Sequence, residues 1–247
     1  MSEITPAARA DLAPTGKIRA GINYTNFILA TKDPASGESR GVAVDLTREL
    51  GRRLGVPFEI VAYDSVAKMV DAAKTGVWDI AFLGIDPARE GEISFTAAYL
   101  QIEATYLVPA ASPLRAVADV DREGVRVAAP ARANYELLLS RSLGKAQLVR
   151  APNADAAFDL LATGKVEALA GLRQGLIGLT DKLPGSRMVD GQFMVVPQAV
   201  GVPKGRDAGL QYLRGFVEEA KASGMVARAI EQTGARGVSV APSAAAR

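Results

Sequence analysis

Residues 72–84, AAKTGVWDIAFLG, and residues 160–172, LLATGKVEALAGL, carry one pattern twice. Each runs from a helix end through Thr-Gly and two further residues to an acid, Asp79 or Glu167, and then into an apolar strand. Gly76 and Gly164 stand where a helix closes on a left-handed residue, a region that only glycine enters without a Cβ penalty. The copies lie roughly 88 residues apart, too far for a solenoid unit and suited to two small α/β lobes of one design. The spacing therefore predicts a bilobed chain.

The flanking sequence extends the pattern. Residues 17–23 (KIRAGIN) alternate as a short strand does, and Asp-Pro and Ser-Gly make 32–40 a turn cluster. Val42, Leu46, Leu50 and Leu54 recur every four positions, the stripe of an amphipathic helix that Gly55 and Pro57 stop. A strand over 58–63, a helix over 65–74 and a buried strand over 79–85 follow. After the Pro109 to Pro113 stretch the series repeats: strand 125–129, helix 133–143, strand 147–150, helix 155–162 capped by Asn153, strand 166–171, helix 174–182. Alternation of this kind predicts an α/β fold with parallel sheets. Residues 193–202 are a long extended run, and Pro197 suits an edge or crossover strand. Helical periodicity returns at 208–222 and 225–232. Extended segments at 104–109 and 193–202 flank the second series and predict a two-stranded hinge. Lobe one is then discontinuous, 1–108 with 200–236, lobe two is 109–199, and 237–247, rich in Ala, Ser and Gly, is expected to be a disordered tail.

Composition narrows the function. With 247 residues, 49% apolar and 23% charged, both lobes can hold a core, and no apolar run approaches the ~20 residues of a membrane span. A net charge of +2 with scattered basic residues and 6% aromatics gives no case for nucleic acid. Cysteine is absent, which removes disulfides, thiolate nucleophiles and Cys-based metal sites. Histidine is absent too, and with it the commonest general base and the usual zinc ligands. An enzyme would have to work with carboxylates, Lys, Tyr or Ser, and neither cofactor nor metal is expected. The opening MSEITPAARADLAPTG has no basic segment and no apolar core, so it does not read as a secretory signal.

GVAVDLTREL (41–50), TGVWDIAFLGIDPAREGEISFTAAY (75–99) and TGKVEAL (163–169) give the chain a family likeness. From residue 17 to about 234 it resembles extracellular solute-binding proteins of family 3, the type II bilobed binding proteins of ABC importers. The resemblance implies two Rossmann-like lobes joined by a two-stranded hinge. It further implies a monomer that takes a small ligand between its lobes, closes, and docks on a membrane permease, with the periplasm as its expected location. A few dehydratases share the scaffold, so an enzyme acting on a prephenate-like acid is an alternative, although no carboxyl group stands out as its general acid. The missing signal keeps a cytoplasmic ligand sensor as a further alternative.

Arg89 is the first candidate site residue. Asp86-Pro87 reads as N-cap and first helical residue, which sets Arg89 in the first turn at the C-terminal edge of a strand, where open α/β sheets bind ligands. A guanidinium there can hold a carboxylate through two parallel hydrogen bonds, which lysine cannot copy. The resemblance implies that it clamps the ligand's α-carboxylate; the plainer reading is a surface arginine paired with Glu90 or Glu92. Backbone groups of Phe82 and Gly84 could complete the anion site, Phe82 standing where many members have a small hydroxyl residue. Arg132, Ala133 and Asn134 open the first helix of lobe two, whose amides suit an anion, with Arg132 a second positive charge or simply a solvated helix-start residue. Aligned through the repeat, Leu172 falls where amino-acid binders carry an acid for the ligand's ammonium, with Arg173 next. That departure implies a ligand with fewer positive charges than a standard amino acid, unless Asp190 or Glu103 supplies the acid. Asn23, Tyr24, Asn26 and Phe27 follow the first strand as candidate contacts to the ligand's side chain, Tyr24 and Phe27 being equally readable as packing. Trp78 is expected in the core, and Asp45 in a structural role.

Overall fold

The computed structural model describes residues 4–244. Helix α1 (Pro6–Leu12) and strand β1 (Ile18–Asn23) precede a small hairpin of β2 (Thr31–Lys32) and β3 (Ser39–Arg40). Then come α2 (Val42–Leu54), β4 (Phe58–Tyr63), α3 (Val66–Asp71), β5 (Ile80–Gly84) and the long β6 (Ile93–Val108). The second series is β7 (Arg126–Pro130), α4 (Asn134–Ser142), β8 (Gln147–Ala151), α5 (Ala154–Ala162), β9 (Ala168–Leu172) and α6 (Arg173–Thr180). Strands β10 (Arg187–Met188) and β11 (Met194–Pro203), helices α7 (Asp207–Ala222) and α8 (Met225–Thr233) and strand β12 (Val238–Val240) complete the chain.

Two compact units result. One runs to Gln101 and resumes at Pro197; the other is Ile102–Val196. Both crossings fall inside strands, β6 and β11, so the first unit ends earlier than the expected boundary at 108. In the first unit β1 pairs in parallel with β4 and β5, and β11 lies antiparallel to β5. Strand β11 sits between β5 and β6, so the run containing Pro197 is not at an edge. Its proline is tolerated because it stands ahead of the stretch that pairs with β5, which starts at Gln198, where its missing N–H breaks no rung of that ladder. In the second unit β7 pairs in parallel with β8 and β9, and β9 runs antiparallel to the far half of β6.

Periodicity explains the packing. Val42, Leu46, Leu50 and Leu54 are all buried along α2. In the second unit, side chains alternate between two cores, because successive Cβ atoms leave a strand on opposite faces. Tyr106, Val127, Ala129, Ala168 and Ala170 enter one, while Leu107, Ala128 and Leu169 enter the other with Leu161 and Leu176. Burial on both faces is why these strands read as unbroken apolar runs.

The repeated acid does the same work in each unit. Asp79 Oδ2 accepts from the Arg19 backbone N–H at 3.0 Å and from its Nε at 2.9 Å, while Oδ1 accepts from Nη2 at 2.7 Å. Glu167 repeats the geometry on Arg126, with backbone, Nε and Nη2 distances of 2.7, 3.1 and 2.7 Å. Each clamp ties the residue before β5 or β9 to the start of the neighbouring parallel strand. Gly76 and Gly164 have φ of 67° and 69°, as the helix-closing role requires.

Two features near the chain ends also depart from expectation. Residues 237–244 are not a disordered tail: β12 pairs with β6, and the Ala241 N–H donates to the Tyr99 carbonyl at 3.1 Å. The buried Lys221 ammonium fastens the segment by donating to the Pro242 carbonyl at 2.9 Å and the Ala98 carbonyl at 3.1 Å. Residues 245–247 of that expected tail lie outside the described residues. Helix α1 was not expected, although Thr5 caps it and Pro6 opens it, both ordinary start signals. It packs on α7, where Gly209 donates to Asp11 at 2.9 Å.

Candidate functional site

In the first unit, β1 and β5 are adjacent parallel strands, so Asn23 and Gly84 end at one sheet edge. Asp86 caps the turn Pro87–Arg89, its carboxylate accepting from the Ala88 N–H at 2.9 Å. The turn is a single 3-10 turn rather than a longer helix. Arg89 is only 3% exposed, which removes the surface reading, and its Nη1 donates to the Gly84 carbonyl at 2.6 Å. A guanidinium held by a backbone carbonyl at a strand end is fixed in position, and a carboxylate is its natural complement. Phe82 faces the core: it is buried, and its ring meets Tyr99 edge-on at 5.8 Å.

The Asn23 amide is used locally, donating to Thr25 Oγ1 at 2.8 Å and accepting from the Thr25 N–H at 3.1 Å. The Tyr24 N–H reaches the Tyr63 carbonyl at 2.9 Å, and its hydroxyl lies 2.5 Å from Ser39 Oγ. Tyr24 thereby joins the ends of β1 and β4 to the β2–β3 hairpin. Asn26 accepts backbone bonds from Leu29 and Ala30, while Phe27 beside it is half-buried. Trp78 is fully buried and donates to the Met69 carbonyl, a core residue; Asp45 pairs with Arg48 at 2.7 Å on α2.

In the second unit, adjacent β7 and β9 bring Pro130 and Leu172 to one edge, and α4 and α6 both start there. Their N-cap residues, Ala133 and Leu172, make no side-chain cap, whereas Asn153 caps α5 by accepting from Ala156 at 2.8 Å. Arg132, exposed, has φ of 64°, the one non-glycine residue at positive φ among the described residues. Buried Glu136 restrains it: Oε2 accepts the Arg132 N–H at 2.8 Å, and Oε1 accepts Arg150 Nε at 2.7 Å. Asn134 is buried at the first helical position. Leu172 is half-buried, and Arg173 is bound to Glu103 at 2.5 Å. Asp190 uses its backbone to bridge to Val117 and Arg115.

Sequence reasoning missed Glu136. Its signal was present, since an acid in the first turn reaching back to the helix start is a capping habit. Among the described residues, no cluster of three or more acids, histidines or cysteines could hold a metal, and no helix is long and apolar enough to cross a membrane.

The two groups therefore lie at strand ends of α/β units, each with an arginine beside a helix or turn start. The family model of bacterial extracellular solute-binding proteins, family 3, matches residues 18–234, and the chain belongs to that family. It is 21% identical to the ABC transporter glutamine-binding protein GlnH of Bacillus subtilis over 87% of this chain and 80% of that protein. Its fold matches the solute receptor for L-cysteine of Neisseria gonorrhoeae, with a TM-score of 0.78 at 22% identity over 91% of this chain and 92% of that one. It also matches the ancestral amino acid-binding protein AncCDT-1, a precursor of cyclohexadienyl dehydratase, at TM-score 0.75 and 22% identity over 91% and 97% of the two chains. The fold is that of type II periplasmic binding proteins.

Proposed function

We propose that this chain is the solute-binding component of an ABC-type importer and captures a small carboxylate-bearing ligand, an amino acid or a related organic acid. The observation that carries the reading is Arg89, buried at the end of β5 and aligned by the Gly84 carbonyl. A guanidinium suits a carboxylate through two parallel hydrogen bonds. In the second unit, Arg132, Ala133 and Asn134 at the start of α4 are proposed as further ligand contacts, with helix amides and a cation favouring negative charge. From the first unit, Tyr24 and Phe27 offer aromatic surface, and Asn23 reaches the ligand through its backbone. The reading is binding without turnover, on the periplasmic side, by a monomer that hands its ligand to a permease.

A thermal-shift screen of amino acids, 2-oxo acids and dicarboxylates tests it, because a ligand of the folded state raises stability by mass action. At least one carboxylate is expected to raise the melting temperature. R89A and R89K are both expected to weaken that ligand's binding by at least tenfold while staying folded by circular dichroism. Full binding by R89K would remove the bidentate role, and a wild-type protein indifferent to every carboxylate would overturn the function.

A further inference from the structure

Glu103 and Arg173 form an ion pair at the end of β9, at the sheet edge where α4, with the proposed contacts Arg132 and Asn134, also starts. Arg173 opens α6; Glu103 arrives from β6, whose next residue, Ala104, pairs with Leu172. Arg173 Nε donates to Glu103 Oε2 at 2.5 Å, Nη2 donates to the Gly191 carbonyl at 2.8 Å, and Nη1 lies 4.0 Å from the Met188 sulfur. With its amide turned so that both ends are satisfied, Gln192 donates to Glu103 Oε1 at 2.9 Å and to Oε2 at 3.2 Å. The side chains are 21% and 34% exposed for Arg173 and Glu103, so the pair is largely withdrawn from water yet still reachable.

This placement has an electrostatic consequence. Paired, the guanidinium and carboxylate cancel each other's field, and the neighbouring Leu172 is apolar. A ligand ammonium arriving here would have to take Glu103 from Arg173, and a second ligand carboxylate would have to take Arg173 from Glu103. Either exchange leaves one charge stranded in a partly dehydrated place, which is the expensive outcome for a half-buried pair. An uncharged group forces no exchange. Resting on the function proposed above, we infer that the Glu103–Arg173 pair is a specificity determinant: it selects carboxylates whose second functional group is uncharged. A purely structural role, fastening α6 to β6 and to the Gly191 turn, would instead affect all ligands alike.

Three four-carbon probes separate these roles by calorimetric titration: butyrate, succinate and 4-aminobutyrate, which differ in the charge of the far group. Wild type is expected to prefer butyrate. E103Q uncovers Arg173 and is expected to improve succinate relative to butyrate by at least tenfold. R173M uncovers Glu103 and is expected to improve 4-aminobutyrate relative to butyrate by a similar factor, with R173Q as the gentler change should R173M fail to fold. The double variant E103Q/R173M, neutral again, is expected to return to the wild-type order, a rescue that a structural role does not produce. Unchanged ratios in both folded single variants, or an equal loss for all three probes, would overturn this inference and leave the function standing. No binding of any probe by wild type, together with a blank carboxylate screen, would overturn both.

Discussion

Arg132 holds a left-handed backbone despite its Cβ, a conformation that costs a non-glycine residue about 1 kcal/mol. Glu136 is the restraint, one oxygen on the Arg132 N–H and the other on Arg150. R132G is therefore expected to stabilise the protein by up to about 1 kcal/mol in urea unfolding, since glycine needs no restraint there. E136Q should destabilise it by about 1–3 kcal/mol, because an amide presents a donor where the carboxylate presented an acceptor. A neutral E136Q would show that the turn holds itself. At this scale the sequence was readable where neighbours decide the outcome. Asp86-Pro87 announces a turn start, and Arg89 follows from it. Phe82 was readable only in its backbone, offered for the site at a strand end; that its ring packs in the core against Tyr99 was not.

Helix α2 was legible from its four-residue spacing alone, and its charged face is built by pairs within the helix and extended by one contact to another. Glu49 accepts from Arg52 Nε and Nη2 and from Arg53 Nε, each at 2.8 Å. Arg53 also reaches Glu219 on α7 at 2.7 Å and lies 5.0 Å from the centre of the Phe216 ring. The hydrogen bonds from Arg52, and secondarily the one from Arg53, pull the Glu49 carboxyl from 4.5 down to about 2. A depressed carboxyl stabilises the fold above its unfolded value and loses that contribution on protonation. Stability should therefore fall from about pH 4.5 towards pH 2. E49Q is expected to flatten that limb and to cost about 1 kcal/mol at pH 7, a modest figure because water around the exposed Arg52 screens the interaction. An acid limb identical to wild type would put the dependence elsewhere. Strand β6 was only half legible. Its burial pattern does not alternate regularly before residue 101, so nothing periodic marks residues 93–103 as a strand.

Across the whole molecule, one clamp recurs at two depths and should carry two different energies. The Asp79 side chain is 0% exposed and Arg19 19%, and Arg206 approaches Asp79 as well at 3.4 Å. Glu167 and Arg126 are 37% and 42% exposed. Removing the carboxylate charge in D79N takes the shared acid from two half-buried cations and leaves a fully buried amide facing them, an expected loss of about 3–5 kcal/mol. E167Q, in water's reach, should cost no more than about 1 kcal/mol. Equal losses in urea unfolding would mean that burial does not set the clamp's strength. What the sequence determined by itself was everything carried by near neighbours: the helix stripe, the left-handed glycines, the order of strands and helices, the family strings and the turn that sets Arg89. Only the tertiary structure decided which partner each acid meets, because those partners lie 60, 41 and 70 residues away for Asp79, Glu167 and Glu103. It also decided that β11 is interior and that β12 is a strand. Such pairings depend on which surfaces the folded chain brings face to face, and no local periodicity encodes that.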